Sequence, residues 1–107
     1  MNPLNGMTLD KIQADTLVQK INQEAQYILS NIRYSIDIKR FYFLTSHIHN
    51  ENIDLLFKNG FQVHEISVFS KLYNSTIHYY VVYWDKLDNI KTNIESLYPE
   101  CCIEWHS

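Results

Sequence analysis

The chain has 107 residues, and its 46% hydrophobic and 20% charged residues are typical of one folded domain and exclude a disordered chain. Nine Lys and Arg residues against twelve Asp and Glu residues give a net charge of −3, which argues against a dedicated nucleic-acid-binding protein. The sequence contains neither an apolar run long enough to cross a membrane nor a secretory signal, so we expect a cytoplasmic protein.

The first predicted element is a long amphipathic helix that follows a loose leader at residues 1–7. Thr8 is the predicted N-cap, and neither Gly nor Pro interrupts the helix before Arg33. At about 1.5 Å per residue this helix is roughly 39 Å long, whereas a compact domain of this size has a radius of gyration of only ~13 Å. We therefore expect one end of the helix to extend past the rest of the domain. Its apolar side chains recur every three or four residues, at Leu9, Ile12, Leu17, Val18, Ile21, Ala25, Ile28, Leu29 and Ile32.

Residues 35–106 predict a sheet with two shorter helices. The first of these helices ends at Gly60, which can adopt the left-handed conformation that stops a helix. A switch of the apolar face in the second strand predicts a bulge near His64 and Glu65. The predicted elements are strand Ser35–Thr45, helix Glu51–Asn59, strand Phe61–Ser70, strand Ser75–Trp84, a helix that begins near Asp85 or Asp88 and ends before Pro99, and strand Cys101–Trp105.

The order of these elements predicts a single α+β domain covering residues 1–107. It consists of a long N-terminal helix (residues 8–33) followed by a β-α-β-β-α-β, ferredoxin-like antiparallel sheet. The core side chains are predicted to be Leu56, Phe57, Phe61, Val81, Ile90, Ile94 and Ile103.

One stretch of the chain has a pattern of helix, hairpin and closing aromatic residues. It comprises Glu51-Asn52-Ile53, Leu56, Gly60-Phe61-Gln62-Val63 and Tyr83-Trp84. Over residues 10–84 this pattern resembles small accessory proteins of tailed phages, and Leu87–Trp105 departs from it. The resemblance implies a viral accessory role, structural or directed at the host, and it supplies no catalytic residues.

The pair His47-x-His49 is the feature most typical of a metal site. On an extended segment the two imidazoles would share a side, and Glu51 could add a carboxylate. The alternative is that both histidines only cap and pack at a solvated turn. Since the chain contains no H-E-x-x-H or Cys-x-x-Cys motif, we predict neither a metal site nor a cofactor.

The turn before the predicted helix Glu51–Asn59 is a candidate for anion or nucleotide binding, because free N–H groups at a helix start attract anions. The candidate residues are Ser46, His47, His49 and Asn50. The adjacent Cys101 and Cys102 cannot form a structural disulfide, and their neighbours Glu100 and Glu104 disfavour a reactive thiolate. We identify no catalytic residue.

These observations favour a non-enzymatic, viral-type accessory protein that binds a host or defence protein as a homo-oligomer, in the host cytoplasm if the protein is viral. The predicted self-association interface is formed by Leu9, Ile12, Leu17 and Val18. One alternative is a module that sequesters a small molecule or nucleotide. A further alternative is a metal-dependent enzyme that uses His47 and His49.

Overall fold

The computed structural model describes the backbone of residues 3–106 and the side chains of residues 14–106. In the described residues, a very long first helix is followed by four strands and two shorter helices. None of the helices in the described part of the chain combines the length and apolarity that a membrane crossing requires. In chain order the elements are α1 (Pro3–Asp37), β1 (Tyr42–Thr45), α2 (Asn50–Lys58), β2 (Gln62–Ser70), β3 (Ser75–Tyr83), α3 (Leu87–Leu97) and β4 (Cys101–His106).

The four strands form one sheet in the order β1-β3-β2-β4, and all neighbouring strands are antiparallel. The predicted α+β class and the long N-terminal helix are thus confirmed. The full ferredoxin-like arrangement is not confirmed, because β4 pairs with β2, whereas in that arrangement the fourth strand pairs with the first.

Helices cover both faces of the sheet. Successive strand residues point to opposite faces, so Val81 and Val82 belong to different halves of the core. Val82 lies in a cluster with Ile28 and Ile32 of α1 and Leu56 of α2. On the opposite face, Val81 lies in a cluster with buried α3 residues, Ile90 and Ile94.

The two-sided core explains the apolar pattern of β2 without the predicted bulge. Every residue of β2 has a single partner on β3, from Gln62 opposite Tyr83 to Ser70 opposite Ser75. Val63 packs towards α1 and α2, and Ile66 packs towards α3, so each points to a covered face.

The predicted strand Ser35–Thr45 is wrong over most of its length. Residues 35–37 belong to α1, and only Tyr42–Thr45 form a strand. Lys39 ends the helix in the left-handed region, with φ of 60°. The Arg40 N–H donates to Ser35 O at 2.7 Å and the Lys39 N–H donates to Ile36 O at 3.0 Å, which is the Schellman pattern of a helix end.

Helix α1 also begins earlier than predicted. It starts at Pro3, so Thr8 is not its first cap and most of the predicted leader is helical. Its 35 residues correspond to about 52 Å at 1.5 Å per residue. The molecule is elongated as a result, with dimensions of 59 × 34 × 22 Å and a radius of gyration of 17.8 Å.

The predicted core is largely confirmed. Leu56, Val81, Ile90 and Ile94 are buried. Phe61 and Ile103 are half-buried at the edges of the two clusters. The prediction for Phe57 is wrong: its side chain is 46% exposed, because α2 turns Leu56 rather than Phe57 towards the sheet.

Candidate functional site

The turn between β1 and α2 holds the two histidines that the sequence analysis selected. Between them lies Ile48, which is only 2% exposed and packs in the cluster beneath α1 and α2. The alternation of an extended chain therefore places His47 and His49 on one side. Their ring centroids are 4.8 Å apart.

The carboxylate beside these histidines comes from α1. Glu24 Oε2 lies 2.7 Å from His49 Nδ1 and 3.7 Å from His47 Nδ1. Glu51, the predicted carboxylate partner, is exposed on α2 and takes no part in this cluster. The sequence analysis missed Glu24 because it is 25 positions from His49 and belongs to another element.

Hydrogen bonds hold the Glu24 carboxylate in place. Its Oε1 accepts the backbone N–H of His49 at 2.6 Å and the side-chain amide of Asn52 at 3.0 Å. Asn52 is buried, and the same amide nitrogen also donates to Ile21 O. Burial alone would raise the pKa of Glu24, but the hydrogen bonds from Asn52 and His49 outweigh it and lower the pKa. Glu24 is therefore ionised at neutral pH and ties α1 to the start of α2.

The other two predicted ligand-binding residues do not join this cluster. Asn50 is exposed at the first position of α2. Ser46 is also exposed, and it lines a separate cleft on the sheet. The structure thus brings together His47 and His49 but not Ser46 and Asn50.

The separate cleft contains a group that the sequence analysis did not identify. Ser67 Oγ lies 2.9 Å from His78 Nδ1 and 2.8 Å from His106 Nε2, so one hydroxyl contacts two imidazoles. Ser67 is 9% exposed, and the cleft has a volume of about 590 Å³. The three residues lie on β2, β3 and β4. The sequence does show a polar residue within each of these apolar strands, and this was the available signal. The register that brings the three polar residues together could not be read from the sequence.

The two cysteines form the start of β4. Cys101 is half-buried and Cys102 is exposed, as strand alternation predicts, and both are free thiols. The Nε2 atom of His106, on the same strand, lies within hydrogen-bond distance of Ser67 Oγ.

Residues 14–20 of α1 carry two of the apolar side chains that the sequence analysis placed in an interface. All side chains from residue 14 to residue 20 are exposed, including Leu17 at 49% and Val18 at 55%. The other two predicted interface residues, Leu9 and Ile12, lie outside the side chains that the structure describes. Further along, α1 and α2 border an apolar groove of about 250 Å³, lined by Ala25, Ile28, Leu29, Asn52, Leu55, Leu56, Asn59 and Phe61.

Comparison with known proteins adds no relative. Neither models of protein families nor curated proteins nor solved structures give a significant match. The resemblance to tailed-phage accessory proteins therefore stays a prediction.

Proposed function

We propose that this chain is a non-enzymatic binding protein that self-associates through α1. The observation that carries the proposal is that the apolar face of α1 continues past the segment that packs on the sheet. Ile28 and Ile32 on this face are buried against the sheet. Leu17 and Val18, about three turns before Ile28 on the same face, are exposed.

A second copy of the same chain is the simplest occupant of this face. Long helices are stabilised mainly by packing of their apolar face, and soluble oligomers are most often two-fold dimers. Two α1 helices packed antiparallel would bury each other's exposed Leu17 and Val18 side chains. In such a pair each residue of one copy faces a residue of the other copy. The two residue numbers add up to the same total along the whole contact.

The groove between α1 and α2 suggests where that axis lies. An axis near Ile21, which is half-buried, sets Leu17 of one copy opposite Ala25 of the other. Ala25 is small and lines the groove together with Leu29 and Leu55, so the Leu17 side chain would enter a ready-made depression. This arrangement would remove from water the exposed apolar side chains of α1 and those that line the groove.

The test is a measurement of mass in solution with a charge-matched pair of variants. Wild type should be a dimer or larger oligomer by light scattering at micromolar concentrations. Leu17→Glu with Val18→Glu should be at least tenfold weaker in self-association and still folded by circular dichroism. Gln19→Glu with Gln23→Glu adds the same charge on the opposite side of α1 and should leave the mass unchanged. A wild-type monomer at high micromolar concentration would contradict the proposal.

The proposed target of the oligomer is a host or defence protein in the cytoplasm. The phage-like pattern of residues 10–84 supports this class of partner. Cross-linking in host cells should capture one dominant protein with wild type and lose it with Leu17→Glu and Val18→Glu. Capture that is equal for both variants would show that target binding does not depend on self-association.

A second candidate function is small-molecule binding in the cleft around Ser67. The cleft of about 590 Å³ supports it, because drug-sized ligands occupy pockets of comparable volume. Its carboxylates, Glu65 and Glu104, disfavour phosphate groups, so the ligand class is a neutral or cationic polar molecule. Native mass spectrometry of the purified chain tests this candidate. A co-purifying ligand should be lost in His78→Ala and kept in His47→Ala, and the absence of any ligand from wild type would favour the first proposal.

A further inference from the structure

We infer that Glu24, His47 and His49 bind one divalent transition-metal ion, with Zn²⁺ as the best match. The inference is independent of self-association, since all three residues lie on one chain. Each offers one ligand atom, and these atoms all lie within 4.8 Å of one another.

Two of the three separations between ligand atoms are close to those of a metal site, and the two histidine nitrogens, within 4.8 Å of each other, would have to approach by up to about 1.5 Å. Zn–N and Zn–O bonds of about 2.0–2.1 Å in a tetrahedral site set the ligand atoms ~3.3 Å apart. The separation of Glu24 Oε2 from His49 Nδ1 is 2.7 Å, and its separation from His47 Nδ1 is 3.7 Å. The observed distances lie on either side of the ideal value, so an ion between the three groups requires shifts of only about half an ångström for these two pairs.

The surrounding residues hold the ligands in this arrangement. Ile48 is buried and fixes the backbone between the two histidines. Asn52 and the His49 N–H occupy Glu24 Oε1, which leaves Oε2 directed at the imidazoles. Such outer hydrogen bonds orient the carboxylates of known metal sites.

The ligand types select the class of ion. Two imidazole nitrogens and one carboxylate oxygen suit Zn²⁺ and its neighbours in the first transition series, whereas Ca²⁺ and Mg²⁺ prefer oxygen ligands throughout. The His47 side chain is 65% exposed, so water can complete the coordination. The His49–Glu24 hydrogen bond is the competing interaction, because the ion must replace it.

The test is a calorimetric titration of the full-length chain with ZnCl₂. We expect one Zn²⁺ per chain in wild type and at least tenfold weaker binding in His47→Ala, which changes an exposed side chain and should not disturb folding. Asn50→Ala, an exposed neighbour outside the cluster, should bind Zn²⁺ like wild type.

A second readout reports the ligands themselves. Co²⁺ bound to wild type should give visible absorption bands typical of a four- or five-coordinate site, and His47→Ala should lose them. The inference would be overturned if wild type bound no Zn²⁺, if His47→Ala bound it equally well, or if His78→Ala abolished binding, which would locate the ion in the Ser67 cleft.

Discussion

Two residues in the left-handed region end the first two helices, and only one of them is glycine. Gly60, with φ of 87°, ends α2 as the sequence predicted. The Phe61 N–H donates to Leu56 O and the Gly60 N–H to Phe57 O. Lys39 plays the same role after α1 at φ of 60°. A side chain in this conformation costs about 1–2 kcal/mol, and glycine avoids that cost.

Lys39→Gly should therefore stabilise the protein. We expect the free energy of unfolding to rise by up to about 1 kcal/mol, because the relief of strain exceeds the added entropy of the unfolded chain. Urea denaturation monitored by circular dichroism measures the change. Gly60→Ala is the matching control and should lower the free energy of unfolding by about 1 kcal/mol, since a Cβ at Gly60 meets no atom within 4 Å and only the backbone is strained. A loss of stability in Lys39→Gly would contradict the left-handed assignment.

His64 is a residue that links stability to pH. Its Nδ1 lies 2.9 Å from the Tyr83 hydroxyl, and its ring stacks on Tyr83 and contacts the edge of Trp105. Burial, with a smaller contribution from the charge of Lys91, lowers the pKa of His64 below its ordinary value of 6.5.

The lowered pKa of His64 determines how the stability of the protein changes with pH. The unfolded chain binds a proton at His64 more readily than the folded chain does, so this histidine lowers stability as pH falls below about 6.5. We expect the melting temperature of wild type to fall between pH 7.5 and pH 5. The fall should be smaller in His64→Phe, which keeps an aromatic ring but cannot titrate. Thermal melts at both pH values measure the difference, and equal falls in the two proteins would contradict the prediction.

At the scale of elements, β3 is the centre of the fold. It pairs with β1 on one side and with β2 on the other, and its residues contribute to both halves of the core. Val81 and Val82 are both fully buried. A charged side chain introduced at either position would have neither hydration nor an ionic partner.

Val81→Asp should abolish cooperative folding. The cost of burying an unpaired carboxylate reaches or exceeds the total stability of a domain, about 5–15 kcal/mol. Ile77→Asp is the matched control, because Ile77 lies on the same face of β3 but is 52% exposed. Calorimetry should show a cooperative melt for Ile77→Asp and none for Val81→Asp. A cooperative melt of Val81→Asp would mean that the register of β3 is wrong.

At the scale of the whole molecule, the shape follows from α1. Its C-terminal half packs on the sheet through Ile28 and Ile32, while the side chains of residues 14–20 are exposed. The radius of gyration is 17.8 Å, whereas a compact chain of this length has ~13 Å. The larger value reflects the part of α1 that does not pack on the sheet. An apolar surface of this kind favours association.

Self-association predicts that stability depends on protein concentration. Only the folded chain can dimerise through α1, so mass action should raise the melting temperature as the concentration increases. Scanning fluorimetry from 1 to 100 micromolar, a range of about two decades, should show this rise in wild type. Leu17→Glu with Val18→Glu should melt at one temperature throughout. A wild-type melting temperature that does not change with concentration would contradict dimerisation.

The sequence by itself determined most of the elements, because their signals are local. Helical spacing identified α1 and α3, strict alternation identified β3, and Gly60 identified the end of α2. The strand predicted at Ser35–Thr45 failed because Lys39 carries no signal for a helix end. Its left-handed backbone is stabilised by the Schellman hydrogen bonds that form after α1 has extended to Asp37.

Only the tertiary structure decided which distant residues meet. Glu24 reaches His49 because α1 and α2 share one face of the sheet, and Ser67 meets His106 because β4 pairs with β2 rather than with β1. These contacts join residues 25 and 39 positions apart. Periodicity within one element determines which side of that element is buried, but it carries no information on strand order or on the face that a helix covers. Those depend on how the competing apolar surfaces of the whole chain are buried together.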